Sequence, residues 1–180
     1  SALGCSNSLS FEDALYLLQE RGKAMQAAVP LGKGSMIAVL GMNIKDIIDL
    51  LKNNIKDDEV CEIANDNSDG QIVVSGRTKD LDKLSSFLKK DKIKNIKLPV
   101  SAPFHCSLMS KATEIMTEEL NKLSFKDTEN KLISNVTAEE ISNTEELKTL
   151  LIKQIENRVR WRESVNNMIN NGVNHFIEIG

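Results

Sequence analysis

Two histidines occur in the chain, and one of them, His105, stands in the string Leu98-Pro99-Val100-Ser101-Ala102-Pro103-Phe104-His105-Cys106-Ser107-Leu108-Met109. An imidazole with its ordinary pKa of about 6.5 takes and returns a proton near neutral pH, which is the work of a general base. Two of the three prolines lie in the same string. Each fixes its own φ, removes a backbone donor and biases the residue before it toward extended conformations, so the segment is expected to run extended as far as His105. An apolar strand before it and helical spacing after it set the histidine at a strand-to-helix junction, where α/β proteins carry reactive groups. Taken alone, His105 also fits a structural histidine hydrogen-bonded in a turn. Cys106 adjoins it, but neighbours on an extended chain point to opposite faces, so no Cys–His nucleophile pair is expected.

The elements that must position this residue follow from periodicity and caps. Ser10 followed by Asp13 resembles a capping box with Asp in place of Glu, and Leu15, Leu18, Met25 and Val29 recur at helical spacing. A helix over 11–28 is predicted, ending before Pro30, with Arg21 near its middle; on residue type alone Arg21 reads as a surface cation, solvated or paired with Glu20. A strand over 35–40 and a helix capped by Asn43 follow. Strands over 61–64 and 71–75 flank an Asn/Asp/Ser/Gly turn, and a helix opened by Thr78 leads to a strand over 93–98. The order strand, helix, strand, strand, helix, strand is that of the ferredoxin-like split βαβ unit. In this reading Asn65, Asn67 and Gln71 form a cluster of amides in a loop, residue types that serve turns through local side-chain bonds.

Beyond His105, Leu108, Ala112, Ile115, Met116, Leu120 and Leu123 make one apolar stripe of a core-facing helix. A strand is predicted over 131–136, a helix from Thr144 with Gln154 in its last turn, a helix over 164–171 with Gly172 as its C-cap, and a final strand over 175–179. His175, at the start of that strand, reads as structural.

Composition removes several classes of function. With 41% hydrophobic and 27% charged residues the chain reads as globular, and no apolar run approaches the roughly 18 residues of a membrane span. A secretory or membrane role is unsupported, and a cytoplasmic location is expected. A net charge of −3 argues against nucleic-acid binding through phosphate contacts, and the strands lack the exposed aromatic pairs that stack bases. The three cysteines, Cys5, Cys61 and Cys106, lack metal-ligand spacing, so no metal site and free thiols in a reducing compartment are expected. Lys89, Lys90, Lys92, Lys94 and Lys97 make a local basic run against little acid other than Asp91.

Four strings in register along essentially the whole chain carry a resemblance: Glu20-Arg21-Gly22-Lys23-Ala24-Met25-Gln26, Ala64-Asn65-Asp66-Asn67-Ser68-Asp69-Gly70-Gln71-Ile72-Val73-Val74-Ser75-Gly76, the His105 string itself, and Ser134-Asn135-Val136-Thr137. Together they resemble the malonyl-CoA:acyl carrier protein transacylase family of fatty acid synthesis. The resemblance implies an α/β fold in which residues 1–31 and 99–180 form an incomplete α/β-hydrolase-like large lobe, with residues 32–98 inserted as a ferredoxin-like small subdomain. It implies transfer of a malonyl group from CoA to the pantetheine thiol of acyl carrier protein, through a malonyl-serine intermediate and by ping-pong kinetics. No cofactor is implied, since the CoA thioester and phosphopantetheine are substrates.

The same resemblance implies roles for particular residues. His105 would be the base of a Ser–His dyad, and Gln154 would offer its backbone carbonyl to the imidazole. Arg21 would clamp the free malonyl carboxylate, a task suited to a planar guanidinium that stays charged when desolvated. Phe104 would narrow the pocket beside the acyl α-carbon, Met25 would line it, and Asn65 and Asn67 would face the pantetheine arm. By charge alone, the basic run either receives the acidic carrier protein, since steering between opposite charges raises on-rates, or is a solvated helix end and edge strand. The serine of the family's nucleophile elbow would fall shortly before Ser1, and both ends of the chain look cut, so the chain by itself is expected to be inactive. One departure is Asn157-Arg158-Val159-Arg160-Trp161, where Arg158 replaces the family's usual proline and leaves the break between helices less firmly enforced. Two other readings remain open: another serine acyltransferase or hydrolase on the same scaffold, and a non-catalytic domain that binds acyl carrier protein.

Overall fold

The computed structural model describes residues 2–178. In chain order the elements are α1 (Ala2–Cys5), α2 (Phe11–Ala27), β1 (Gly34–Leu40), α3 (Ile44–Asn54), β2 (Cys61–Ser68), β3 (Gln71–Arg77), α4 (Thr78–Lys90), β4 (Lys94–Lys97), a 3-10 turn (Ser107–Met109), α5 (Ser110–Asn121), α6 (Thr144–Lys153) and α7 (Trp161–Asn170). Three helices begin where a side chain satisfies a free backbone donor. Ser10 Oγ accepts from the Asp13 N–H at 3.0 Å, and the Asn43 and Asn143 amide oxygens accept from Asp46 and Glu146 at 2.9 Å. α2 stops ahead of Pro30, as predicted.

The four strands form one antiparallel sheet in the order β2-β3-β1-β4, the ferredoxin-like order expected from the sequence. Alternation along the strands divides the sheet's two faces. Ile37, Val39, Ile72 and Val74 pack against Ile47 of α3 and Leu81, Leu84 and Leu88 of α4. Met36, Ala38, Ala64 and Val73 point the other way, toward Leu98 and Phe104. A third cluster joins Leu17, Ala24 and Met25 of α2 to Ala102, Met109 and the buried face of α5, and Phe104 packs against it as well. Phe104, one residue before His105, therefore touches both the sheet and the helical core. At the head of β1, Gly34 lets Pro103 approach so closely that a Cβ there would stand 2.3 Å from the proline Cγ.

Several sequence expectations change. β2 runs on to Ser68, so Asn65 and Asn67 lie in a strand and not in a loop. The turn shrinks to Asp69 and Gly70, whose φ of 79° needs glycine, because bulges at Ile63/Asn65 and Asp66/Ser68 absorb the irregular residues within the ladder. The strand expected over 131–136 is a tight loop bearing one bridge, Ile133 to Glu140, since its donors and acceptors close on themselves through Ser134 N–H to Glu139 O at 2.9 Å and Ile141 N–H to Leu132 O at 2.9 Å. Residues 175–178 form no strand, and Ile179 lies outside the described residues. α7 starts at Trp161, three residues before the expected position, because the Arg160 carbonyl already accepts from the Ser164 N–H at 2.9 Å. Ile115, assigned to the core stripe, is 43% exposed, so the buried face of α5 is narrower than the apolar pattern.

Candidate active site

His105 does not end an extended run. Its φ of 58° puts it in the left-handed region, the conformation that a β-carbon disfavours by about 1–2 kcal/mol and that is found at functional turns. The reversal turns the chain from the Pro99–Pro103 stretch into the 3-10 turn that opens α5. Cys106 is fully buried, and its Sγ donates to the Pro103 carbonyl at 3.2 Å. Burial raises that thiol to about 11 and the Cys61 thiol to about 12. Both are protonated near neutral pH, which removes Cys106 as a nucleophile by a physical cause different from the strand alternation argued from sequence.

His105 Nδ1 lies 2.8 Å from the backbone carbonyl oxygen of Gln154. A carbonyl only accepts, so Nδ1 carries the hydrogen and Nε2 keeps its lone pair. Burial lowers the pKa of His105; the Gln154 carbonyl acts in the opposite sense, and the positive charge of Arg21 lowers it further. The imidazole is thus neutral near pH 7 with its acceptor nitrogen defined. Gln154 can present its carbonyl because it caps the C-terminus of α6, where the last carbonyls lack helical partners. Arg158 in place of proline does not spoil this break. The chain leaves the helix and Val159 pairs with β2, donating to Ala64 O at 2.8 Å and accepting from the Asp66 N–H at 2.9 Å.

Arg21 lies close enough to the ring for its charge to act on it, and burial lowers its own pKa. Its neighbour Glu20 pairs with Lys23 at 2.7 Å, and among the described residues no carboxylate stands within ion-pair distance of Arg21. The surface pairing read from residue type is therefore corrected: α2 holds a half-buried guanidinium that has no carboxylate partner among the described residues. Met25, one turn on, is 3% exposed and sits in the core cluster that Phe104 also touches. Asn65 and Asn67 are half-buried on β2, and among the described residues neither side-chain amide has a hydrogen-bond partner.

A cavity of about 700 Å³ flanks the His105 turn, walled by Val29, Pro30, Lys33, Thr78, Leu108 and Lys111; the ring itself is not among its walls. The basic run occupies the last turn of α4 and the edge strand β4, where Lys97 stands 3.8 Å from Asp82.

Sequence reasoning missed the residues that brace the site from β2. The Glu62 carboxylate accepts from Ser107 through both its backbone N–H, at 3.2 and 3.3 Å, and its hydroxyl. Asp66, 1% exposed, receives two bonds from the Arg162 guanidinium at 3.0 and 2.8 Å. Asp66 was hidden among turn-forming residue types, and nothing local marks Arg162, 96 positions away.

Among the described residues no helix is long and apolar enough to cross a membrane, and no group of His, Cys, Asp or Glu could hold a metal ion. Comparison with known proteins adds the family. A model of the acyl transferase domain matches residues 1–180. The chain is 40% identical to the malonyl CoA-acyl carrier protein transacylase of Bacillus subtilis, aligning over all of this chain and 57% of that protein. It is 38% identical to the Staphylococcus aureus protein of the same name, over all of this chain and 59% of that one. The crystal structure of the Clostridium perfringens transacylase superposes with a TM-score of 0.91 at 39% identity, over 96% of this chain and 54% of that chain. A type II polyketide synthase acyl carrier protein in complex with its malonyl transacylase superposes at 0.90 and 31% identity, over 96% of this chain and 56% of that chain. The chain thus spans a little over half the length of the relatives it matches. With its family model matched from end to end, the chain belongs to the acyl transferase domain family.

Proposed function

We propose that these residues are the base and acyl-selecting part of a malonyl-CoA:acyl carrier protein transacylase. Residues 32–98 act as the smaller lobe and 1–31 with 99–180 as the larger, and the malonyl group binds between them. The observation that carries the reading is the half-buried Arg21 guanidinium, unpaired among the described residues, whose charge acts on an imidazole with Nε2 free to accept a proton.

The nucleophile is a serine of the whole protein outside these 180 residues. His105 Nε2 takes its proton as the oxygen attacks the malonyl thioester, and returns it to the departing CoA thiolate. The malonyl-serine ester then meets the pantetheine thiol of acyl carrier protein, and the same steps run in reverse, giving ping-pong kinetics. The Gln154 carbonyl fixes the tautomer and stabilises the imidazolium formed in each half. Arg21 holds the malonyl carboxylate in a bidentate pair, whereas an acetyl group leaves the desolvated cation unmatched. Phe104 and Met25 shape the wall along the acyl α-carbon and favour malonyl over methylmalonyl. Asn65 and Asn67 offer free amides to the pantetheine arm, and the basic run at the end of α4 and along β4 steers the acidic carrier protein.

The test is Arg21→Ala in the whole protein, with malonyl-CoA and acetyl-CoA compared. Loss of one charged pair in a half-buried site costs about 2–3 kcal/mol, so kcat/KM for malonyl should fall roughly 30- to 150-fold while acetyl transfer is unharmed or improved. Unchanged malonyl turnover would overturn the proposal in favour of a different acyl group.

A further inference from the structure

The His105 turn is fixed at two points, and only one of them is on the imidazole. The ring is pinned through Nδ1 to Gln154 O at 2.8 Å. Two residues further on, the N-terminus of the 3-10 turn needs acceptors for its free donors, yet neither Cys106 nor Met109 supplies a side-chain cap for the turns that begin there. The acceptor comes from 45 positions away: Glu62 on the edge strand β2 takes both the backbone N–H and the hydroxyl of Ser107. A carboxylate at this end also meets the positive pole of the turn and of α5 behind it.

We infer that Glu62 is a positioning residue for His105: by capping Ser107 from β2 it holds the left-handed turn that aims the imidazole at its reacting partner. The inference rests on the proposed role of His105 as the base. Three features support it. His105 is in a conformation that relaxes unless the residues on both sides are held, and on the C-terminal side the cross-strand cap supplies that restraint. β2 is also the strand that pairs with Val159 and binds Arg162, so one strand fixes both the histidine turn and the segment that follows the Gln154 carbonyl. Glu62 itself is half-buried and outside the three apolar clusters, so its loss releases the cap without opening the core.

The experiment uses the whole protein labelled with 15N-histidine, the His105 resonances being identified by their disappearance in His105→Gln. Wild type should show one tautomer, with the hydrogen on Nδ1, and a titration midpoint below the ordinary imidazole value. In Glu62→Ala the 15N shifts should move to an average of both tautomers. The midpoint should rise toward the ordinary value as water reaches the ring, with Arg21 on α2 and the Gln154 carbonyl the remaining groups acting on it. Glu62→Gln keeps an acceptor for the Ser107 N–H and should restore the single tautomer. In transfer assays Glu62→Ala should lose about tenfold in kcat with KM for the acyl thioester little changed. A Glu62→Ala spectrum matching wild type, or a Gln variant as disturbed as the Ala variant, overturns the inference. If Glu62→Ala unfolds, Ser107→Ala removes one of the two bonds from the other side and should give a smaller shift in the same direction; no shift there also overturns it. The imidazole signals report whichever acyl group the enzyme accepts, so this test can fail or succeed independently of the malonyl assignment.

Discussion

Removal of the Asp66 carboxylate tests whether β2 anchors the segment that carries the Gln154 carbonyl. Asp66 is 1% exposed and takes two bonds from Arg162, at 3.0 and 2.8 Å, while the Arg162 side chain remains 23% exposed. Breaking a fully buried pair by deleting one partner costs about 3–5 kcal/mol, mostly for the charge left behind. Here the stranded guanidinium reaches water, and Asp69, 3.6 Å away and 90% exposed, takes up part of the interaction. The cost therefore falls to or below the lower end of that range, so Asp66→Ala should cost about 2–3 kcal/mol, and Asp66→Asn, which keeps one acceptor and the shape, about 1 kcal/mol. Urea unfolding of the whole protein reads this as a lower midpoint at unchanged slope. The double mutant with Arg162→Ala separates the pair from its surroundings, and a coupling of about 1.5 kcal/mol or more is expected for a desolvated bidentate contact. The loss should also reach the site: with Val159 less firmly paired to β2, the Nδ1 hydrogen of His105 should exchange faster with solvent. A coupling below about 0.5 kcal/mol would refute the reasoning, because the pair would then behave as an exposed salt bridge.

Three further outcomes follow from the same geometry. Gly34→Ala drives a methyl to within 2.3 Å of Pro103 Cγ and should destabilise by about 1–3 kcal/mol while disturbing the His105 signals, measured by thermal unfolding and NMR; unchanged stability would show that Pro103 is free to move. Cys61 and Cys106, raised to about 12 and about 11, should resist iodoacetamide at pH 8 in the native protein and react once unfolded in urea, as read by peptide mass spectrometry; rapid native labelling of Cys106 would contradict its burial. The lowered pKa of His105 fixes the sign of a pH effect: the unfolded state binds the proton more readily than the native state, so stability rises with pH through this window. The contribution is fully present above the unfolded imidazole pKa and is lost as pH falls from there toward the lower native value. His105→Gln should flatten that part of the stability curve, and an unaltered curve would mean that the native ring is not desolvated.

What was legible in the sequence was whatever local chemistry decides. Ser10 and Asn43 announce helix starts because a cap acts over three residues. The β-α-β-β-α-β order followed, and with it the sheet. The resemblance set the Gln154 carbonyl at the imidazole, and its oxygen lies 2.8 Å from His105 Nδ1. Local chemistry misled where an apolar or polar run had a different partner from the one assumed. Residues 131–136 look like a strand but spend their hydrogen bonds on their own loop, and Asn65 and Asn67 look like a turn but are carried within β2 by two bulges.

The conformation of His105 was the part least open to sequence reasoning, and the reason is physical. Two prolines argue for an extended approach, and no residue nearby demands a left-handed turn; the turn exists because contacts from 45 and 49 positions away outweigh its strain. Each contact alone is a hydrogen bond worth a net 0.5–3 kcal/mol on the usual scale, about the size of the strain it must offset. A single tether would therefore leave the turn poised between two conformations. Two tethers on opposite sides of the residue, one on the ring and one on Ser107, exceed the strain together and leave the ring one orientation. The same arithmetic explains why β2, an edge strand, carries two charged residues whose partners lie outside the sheet. Glu62 and Asp66 couple the two segments that must agree on where the imidazole points, so disturbance of either should be felt at His105 before it is felt in the fold.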